Sequence, residues 1–271
     1  MSLKLFARIA LVVLFCACCS GCSYSSNTSH IKLNSGFIAY NYHSGESVIA
    51  VFQSGLGDEK SVWSDVARQL PATQSYFMYD RYGYGDSNRT MGTRDACTIA
   101  REQHELLAKL GIPPPYLLVG HSIGGLYEYV YALMYPQEVA GLVLLDPTHP
   151  QHWQTMQVEA PNTAAVVKAF RYTAFSLAER DEFDAQANCI NTHNVQLSPR
   201  ISRNTQMFTS TEMNSGEQGT YQDMLKKLRN DWLNLLGIHA EQRTAEMFTT
   251  NRSILHWLLN FYWICLEHPI F

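Results

Sequence analysis

The sequence predicts an α/β fold in which a mostly parallel sheet is covered by helices on both faces. Short apolar runs of the length of a buried strand recur along the first half of the chain. Stretches with helical spacing lie between these runs, and glycine or proline marks the ends of most of them. The chain has 271 residues, 46% of them hydrophobic, which is ample for one large domain with a buried core.

Strands and helices alternate in a regular order. Two paired strands, "HIKLN" and "FIAYNYH", are expected on either side of a turn at residues 34–36. The apolar runs that follow predict buried strands at "SVIAVF", "SYFMYD", "YLLV" and "VAGLVLLD". Helices are predicted at about residues 61–70, at "TRDACTIAREQHELLAKL" and at "GGLYEYVYALMY". This alternation is typical of parallel strands joined by right-handed crossovers.

The pattern changes after Pro147. The next stretch is rich in Gln, Asn, Thr and His and contains no clear strand, and we interpret about residues 151–204 as a cap insertion over the carboxyl edge of the sheet. The cap would belong to a single domain spanning residues 30–271. It carries no motif from which a substrate could be named. His149 and His152 are expected at the polar surface.

Residues 1–22 have the pattern of an export signal. Lys4 and Arg8 precede a short apolar run, residues 9–15, which is too short to span a bilayer. The "SGC" that ends at Cys22 resembles the lipobox of bacterial lipoproteins, in which this cysteine is acylated after cleavage. We therefore expect an exported protein, either lipid-anchored in a bacterial cell envelope through Cys22 or secreted. An uncleaved membrane anchor is the alternative.

Composition narrows the classes of partner. The formal net charge is −4 and no basic run occurs, which argues against a nucleic-acid partner. Beyond the leader the cysteines are Cys97, Cys189 and Cys265, and their spacing predicts neither a metal site nor a disulfide framework. In an oxidising compartment one pair of these three could form a disulfide. The sequence indicates no cofactor and gives no sign of the oligomeric state.

Ser122 stands between an apolar strand and a helix, with Gly120 and Gly124 on either side. A chain that passes from strand to helix within about one residue forces the corner residue into a strained conformation, and the glycines avoid clashes there. The serine hydroxyl is then exposed at the carboxyl edge of the sheet. The amide of Ile123, at the helix N-terminus, can donate to a developing oxyanion. A serine in a helix-capping turn is the structural alternative.

Three loops in order resemble the α/β-hydrolase family, from about residue 31 to residue 147. "QSGLGD", residues 53–58, is similar to the family's HG-x-G oxyanion loop, with Gln-Ser where histidine is frequent. "DRYGYGDS", residues 80–87, is similar to the D-R-x-G-x-G-x-S loop of esterase, epoxide-hydrolase and prolyl-aminopeptidase relatives. The resemblance implies a serine hydrolase acting on a small carboxylic ester or related acyl substrate. It also implies that the amide of Leu56 is the second oxyanion donor.

In this family the catalytic residues follow the order serine, acid, histidine. Asp146 ends the strand next to the one that leads to Ser122, so its carboxylate could reach the site. Many family members place the acid one strand later, where this chain offers Glu212. Neither need be the acid, since an Asp-Pro at a strand end also caps turns.

The histidine is harder to assign. The tail "SILHWLLNFYWICLEHPIF" resembles the closing segment of the family, but Tyr262 occupies the position at which the histidine is expected. A tyrosine with a pKa near 10 cannot act as a general base at neutral pH in the same way. The remaining downstream candidates are His239, His256 and His268. Because the tail is also shorter than is usual, the alternative function is a catalytically defective α/β-hydrolase-like protein that binds a ligand or has no activity.

Overall fold

An eight-stranded sheet organises the part of the chain that the computed structural model describes, which is residues 28–186, 188–189, 196–210, 219–238 and 246–247. The spatial order of the strands is β1-β2-β4-β3-β5-β6-β7-β8. The strands are β1 (Ser29–Leu33), β2 (Gly36–His43), β3 (Ile49–Gln53), β4 (Tyr76–Tyr79), β5 (Tyr116–His121), β6 (Val139–Leu145), β7 (Thr205–Ser210) and β8 (Glu246–Met247).

The sheet is mostly parallel. Strand β2 pairs antiparallel with both β1 and β4, whereas every pairing from β4 across to β8 is parallel. Strands β3 and β6 are buried along their whole length, which explains their continuous apolar sequence. The predicted fold class is confirmed.

Helices cover both faces of the sheet. The α-helices are α1 (Ser64–Gln69), α2 (Ala96–Lys109), α3 (Ile123–Met134), α4 (His152–Glu159), α5 (Pro161–Thr173), α6 (Leu177–Ala185), α7 (Pro199–Arg203) and α8 (Thr220–Leu236). Asp95 caps α2 because its side chain accepts a hydrogen bond from the Thr98 amide. Helix α8 ends at Gly237, whose φ of 64° is left-handed.

The sheet separates two apolar cores. Val51 and Leu118 contribute to the core that contains the buried faces of α2 and α3. Phe52 and Val119, the next residues along the same strands, lie in the opposite core with Trp63, just ahead of α1. Successive side chains of a strand point to opposite faces, so each parallel strand supplies both cores.

The predicted strands and helices agree with the structure up to β6, with one difference. The helix expected at about residues 61–70 is divided into a 3-10 turn, Lys60–Trp63, and the short helix α1. The strand expected near residues 254–259 lies outside the described residues. Among the described helices, none combines the length and apolar character needed to cross a membrane.

The segment between β6 and β7 is helical, and we call residues 151–204 the cap segment. It contains α4 to α7, without a strand among its described residues. A disulfide joins Cys97, in the first turn of α2, to Cys189 of the cap segment. Of the three cysteines available from the sequence, Cys265 lies outside the described residues. The disulfide therefore attaches the cap segment covalently to α2, one of the helices that cover the sheet.

Candidate active site

Ser122 lies at the corner between β5 and α3. Its backbone has φ 54° and ψ −123°, a region that residues other than glycine rarely adopt. The Ser122 amide donates to the Leu145 carbonyl of the neighbouring strand at 2.9 Å, and the Gly125 amide donates to the Ser122 carbonyl at 3.0 Å. These bonds hold the corner in its strained conformation. Ser122 therefore belongs neither to the regular strand nor to the regular helix.

The glycines beside Ser122 permit close backbone contact. A Cβ atom on Gly120 would lie 2.6 Å from the Gly124 carbonyl oxygen, where the strand meets the helix. A Cβ on Gly124 would lie 2.4 Å from the carbonyl oxygen of Gln53 and 2.6 Å from that of Ser54. Both positions exclude any side chain without backbone movement. The glycines thus avoid the clashes that the sequence predicted at the corner, and the loop after β3 lies directly against α3.

A pocket of about 190 Å³ opens beside Ser122 and is also lined by Asp146. Helix α8 supplies one wall with the apolar side chains of Leu225, Leu228 and Trp232. The loop after β6 supplies the opposing polar groups. The structure therefore brings the predicted nucleophile and one of the two predicted acids to the same small cavity.

The two predicted triad residues have other partners in the structure. Ser122 Oγ lies 3.4 Å from Thr148 Oγ1, at the long end of hydrogen-bond distance. Asp146 has a left-handed φ of 45°, and its carboxylate Oδ1 accepts a hydrogen bond from Arg229 Nη2 of α8 at 3.1 Å. Glu212, the other acid candidate, lies outside the described residues. Asp146 thus reaches the pocket, paired with an arginine.

His149 is buried, with 2% of its surface exposed, so the expectation of a surface position was wrong. Its Nδ1 accepts a hydrogen bond from the Gln151 amide at 3.1 Å, and its Nε2 lies 3.2 Å from Asp231 Oδ2 of α8. The ring also packs edge-on against Trp232. Burial lowers the pKa of His149 to about 4, although Asp231 opposes the shift. Nδ1 therefore has a hydrogen-bond partner, whereas the buried Nε2 approaches Asp231 without forming a hydrogen bond.

His152 lines the pocket as well and is partly buried. Its Nε2 lies 3.3 Å from the Tyr221 hydroxyl, and the two rings are stacked. Burial, followed by the neighbouring His149, lowers the pKa of His152 to about 4, with Asp146 acting in the opposite direction. The ring is therefore neutral at pH 7, and the same burial disfavours the imidazolium that a general base must form.

The sequence interpretation placed these two histidines at the polar surface because no motif connects them with the site. Their partners, Tyr221 and Asp231, belong to α8 and lie far along the chain. The available signal was position, since His149 and His152 follow the carboxyl end of β6, the edge at which ligands bind in open α/β sheets.

The loop that carries Leu56 adjoins the Ser122 corner. Besides the contact with Gly124, a Cβ on Gly55 would lie 3.1 Å from His121 Nδ1, immediately before the serine. Leu56 is half-buried in this loop, and Ile123 is the first residue of α3. The two amides expected to bind an oxyanion therefore belong to segments in direct contact. The described residues do not include the remaining site candidates, which are His239, His256, His268, Tyr262 and Cys22.

Gln53, which stands where the family often has histidine, is completely buried. Its Nε2 donates to the Tyr79 hydroxyl at 2.6 Å and to Gln103 Oε1 at 2.8 Å, and its Oε1 accepts from Arg81 Nη1 at 3.1 Å. Every polar atom of the side chain is therefore paired, as a buried amide requires. The departure from the family pattern is part of a buried hydrogen-bond network.

Among the described residues, one group has the composition and spacing to hold a metal ion, namely Asp95, Cys97 and Cys189. Its two sulfur atoms are joined in the disulfide, whereas a cysteine binds a metal ion as a free thiolate. This group is therefore not a metal site in the oxidised protein.

Comparison with known proteins agrees with the fold. The model of the α/β hydrolase fold family matches residues 51–237. YqjL, an uncharacterised protein of Bacillus subtilis (strain 168), is 32% identical over 127 residues, 47% of this chain and 45% of YqjL. RutD of Cronobacter turicensis, a candidate carbamate hydrolase, is 36% identical over 101 residues, 36% of this chain and 37% of RutD. The chain thus spans less than half the length of these curated relatives.

Solved structures share the fold at low sequence identity. A variant of the N-acyl homoserine lactonase AidH superposes with a TM-score of 0.63 at 14% identity, covering 89% of this chain and 98% of that one. The epoxide hydrolase CorEH gives 0.58 at 16% identity, covering 88% and 98%. These similarities concern the fold alone. With the family model matching more than half of its residues, this chain belongs to the α/β hydrolase family.

Proposed function

We propose that this protein is a serine hydrolase that cleaves a carboxylic ester or a related small acyl substrate through an acyl-Ser122 intermediate. The observation that carries the proposal is the left-handed corner at Ser122, which faces a pocket shared with Asp146. Enzymes accept such backbone strain where it presents a reactive group. The names of two similar proteins, a lactonase and a candidate carbamate hydrolase, also refer to acyl compounds.

In the proposed reaction Ser122 Oγ attacks the carbonyl carbon and transfers its proton to a histidine. The amides of Leu56 and Ile123 donate to the oxyanion that forms on the carbonyl oxygen. The tetrahedral intermediate breaks the bond to the leaving alcohol, which takes the proton from the histidine. A water molecule then attacks acyl-Ser122 by the same steps, which releases the carboxylic acid and restores the serine hydroxyl.

We propose Asp146 as the acid that orients the histidine. Its bond to Arg229 is partly exposed, with 37% of the Asp146 side chain accessible, so the carboxylate has room for a second donor. The described histidines of the pocket are His149, whose Nδ1 accepts a hydrogen bond from the Gln151 amide, and His152, which is the first to test. His239, His256 and His268 remain the candidates that the sequence supplies.

The second candidate function is that of a catalytically defective relative that binds a ligand in the same pocket. Two observations favour it. Tyr262 stands where the family resemblance places the histidine. In the described structure Asp146 also pairs with Arg229, whereas a working triad acid pairs with histidine.

A fluorophosphonate probe separates the two functions, because it phosphonylates a serine only when a base activates that serine. We expect mass spectrometry to locate one adduct on Ser122, and Ser122→Ala to lose both labelling and turnover of p-nitrophenyl acetate. Ser61→Ala is the matched control, since Ser61 is exposed in the 3-10 turn ahead of α1. An unlabelled wild-type protein that is folded by circular dichroism would favour the ligand-binding alternative.

We further propose that the protein is exported and anchored to a bacterial cell envelope by acylation of Cys22. The disulfide between Cys97 and Cys189 supports export, because disulfides persist mainly in oxidising compartments. Growth with an alkyne-labelled fatty acid should label the wild-type protein, and Cys22→Ala should lose the label while Cys19→Ala retains it. Equal labelling of the wild type and Cys22→Ala would contradict the anchor.

A further inference from the structure

Arg81, the second residue after β4, is an arginine buried beneath the loop that carries Leu56. Only 2% of its side chain is exposed. Nη1 donates to the Ser54 carbonyl at 2.7 Å, and Nη2 donates to the Gly55 carbonyl at 2.8 Å. The two nitrogens of one planar guanidinium thus hold two successive peptide groups of the loop.

The adjacent edge of the same guanidinium, formed by Nε and Nη2, binds the cap segment. Arg81 Nε donates to Glu182 Oε1 at 2.9 Å, and Nη2 donates to Oε2 at 2.9 Å. Glu182 lies on α6 and its side chain is completely buried. Burial alone would lower the pKa of Arg81, but the Glu182 carboxylate together with Tyr84 and Tyr127 raises it overall, so the guanidinium stays charged.

Glu182 has further partners, among them Arg94, whose Nη2 lies 3.6 Å from Oε1. The Tyr84 hydroxyl donates to Oε2 at 2.9 Å, and the Tyr127 hydroxyl donates to the same oxygen at 3.3 Å. Tyr127 lies on α3, the helix that begins directly after Ser122. The buried carboxylate therefore connects the cap segment with both the loop after β4 and the helix of the proposed nucleophile.

Helix α6 also touches the Leu56 loop directly. A Cβ atom on Gly57 would lie 2.6 Å from Glu179 Oε1, in the first turn of α6. Displacement of α6 would therefore change the packing against this loop as well as the bond between Glu182 and Arg81.

We infer that Arg81 is a positioning residue that sets the direction of the Leu56 amide, and that Glu182 makes this setting depend on the cap segment. The Gly55 carbonyl and the Leu56 N–H belong to one planar trans peptide group, in which they point in opposite directions. A hydrogen bond that fixes the carbonyl therefore also fixes the N–H. The inference rests on the proposed function, in which this N–H binds the oxyanion.

Two substitutions test the inference. Arg81→Lys keeps the charge but cannot bridge Glu182 and the two loop carbonyls, because a compact ammonium lacks the planar, forked donors of a guanidinium. We expect kcat for p-nitrophenyl acetate to fall about 10²-fold, near the loss of one oxyanion donor, with KM changed less than about threefold. Glu182→Gln should lower kcat about tenfold. Both variants should slow the phosphonylation of Ser122 by factors similar to their losses in kcat.

A matched control exists between the same two elements. Arg89 Nη2 donates to Asp181 Oδ2 at 3.0 Å, which also joins the loop after β4 to α6, but the two side chains are 43% and 41% exposed. Arg89→Lys and Asp181→Asn should leave kcat within about twofold of the wild type, because neither residue contacts the Leu56 loop in the described network.

Each outcome decides the inference. Unchanged kcat in folded Arg81→Lys and Glu182→Gln would overturn it, as would an increase in KM at constant kcat. If Arg81→Lys does not fold, Glu182→Gln and Glu182→Asp supply the kinetic test. Failure of the proposed function is recognised separately, because wild type and Ser122→Ala would then both remain unlabelled, and the inference would be overturned with it.

Discussion

Two arginine–carboxylate pairs adjoin the elements around Ser122, and they differ in their surroundings. The Arg81–Glu182 side chains are 2% and 0% exposed and are joined by more than one hydrogen bond. The Arg229–Asp146 side chains are 25% and 37% exposed, and one hydrogen bond of 3.1 Å joins them. A fully buried pair must keep both partners, because either charge alone would be uncompensated. A partly exposed pair can exchange partners at little cost.

This difference suggests a division of roles. The buried pair is part of the permanent framework beneath the Leu56 loop. The exposed pair lies in the pocket, where Asp146 could leave Arg229 and bind a histidine during the reaction.

The largest effect is expected from Asp146→Asn. If Asp146 orients the catalytic histidine, kcat should fall about 10⁴-fold, as when a triad carboxylate becomes an amide. The free energy of unfolding should change by about 1 kcal/mol or less, since the lost ion pair is partly exposed. Ester kinetics and urea unfolding measure the two quantities. Glu212→Gln is the paired variant, and a large loss there with none in Asp146→Asn would assign the acid to Glu212.

Glu182→Ala should have the largest effect on stability. It leaves the Arg81 charge buried without its carboxylate, which costs about 3–5 kcal/mol of unfolding free energy. Asp181→Ala removes the exposed neighbour on the same helix and should cost about 1 kcal/mol or less. Urea unfolding at pH 7 measures both. Equal losses in the two variants would show that burial does not distinguish the pairs.

The pH dependence of stability should reveal His149. Because its pKa falls from 6.5 in the unfolded chain to about 4 in the folded protein, the unfolded chain takes up a proton first as the pH decreases. The contribution of the neutral ring is complete above pH 6.5 and is lost between pH 6.5 and 4. His149→Gln should show a smaller decrease in Tm across this window than the wild type. Parallel Tm curves would contradict the burial of an uncharged imidazole.

The smallest effect is expected from Arg229→Gln. Loss of this partly exposed partner should change the free energy of unfolding by about 1 kcal/mol or less. It also frees Asp146 for a histidine, so kcat should stay within about threefold of the wild type or increase. A 100-fold decrease in kcat would mean that Arg229 holds the substrate or the acid in place. It would contradict the idea that Asp146 exchanges Arg229 for a histidine.

Local features of the sequence predicted much of the fold and the Ser122 corner. The corner was predictable because Gly120, Ser122 and Gly124 are close along the chain and the clashes that they avoid are local. Apolar runs likewise predicted the buried strands, because both faces of a parallel strand pack against a core and consecutive residues are therefore apolar. The position of Leu56 beside the corner followed from the family order of the loops.

Features that depend on distant packing were not predictable in this way. The burial of His149 requires α8, whose Asp231 lies more than 80 residues further along the chain. The disulfide pairing needs the cap segment to approach α2 across a separation of 92 residues. The role of Gln53 in the buried network likewise depends on Arg81, which donates to it and also binds Glu182 of the cap segment. No spacing in the sequence indicates these contacts.

The most direct test is to locate the fluorophosphonate adduct on the intact protein by peptide mass spectrometry. The proposed function predicts a single adduct on the peptide that contains Ser122, formed in the wild type and in Ser61→Ala but absent from Ser122→Ala. A folded wild-type protein that remains unmodified, or that carries the adduct on another serine, would contradict a nucleophilic hydroxyl at the strained corner.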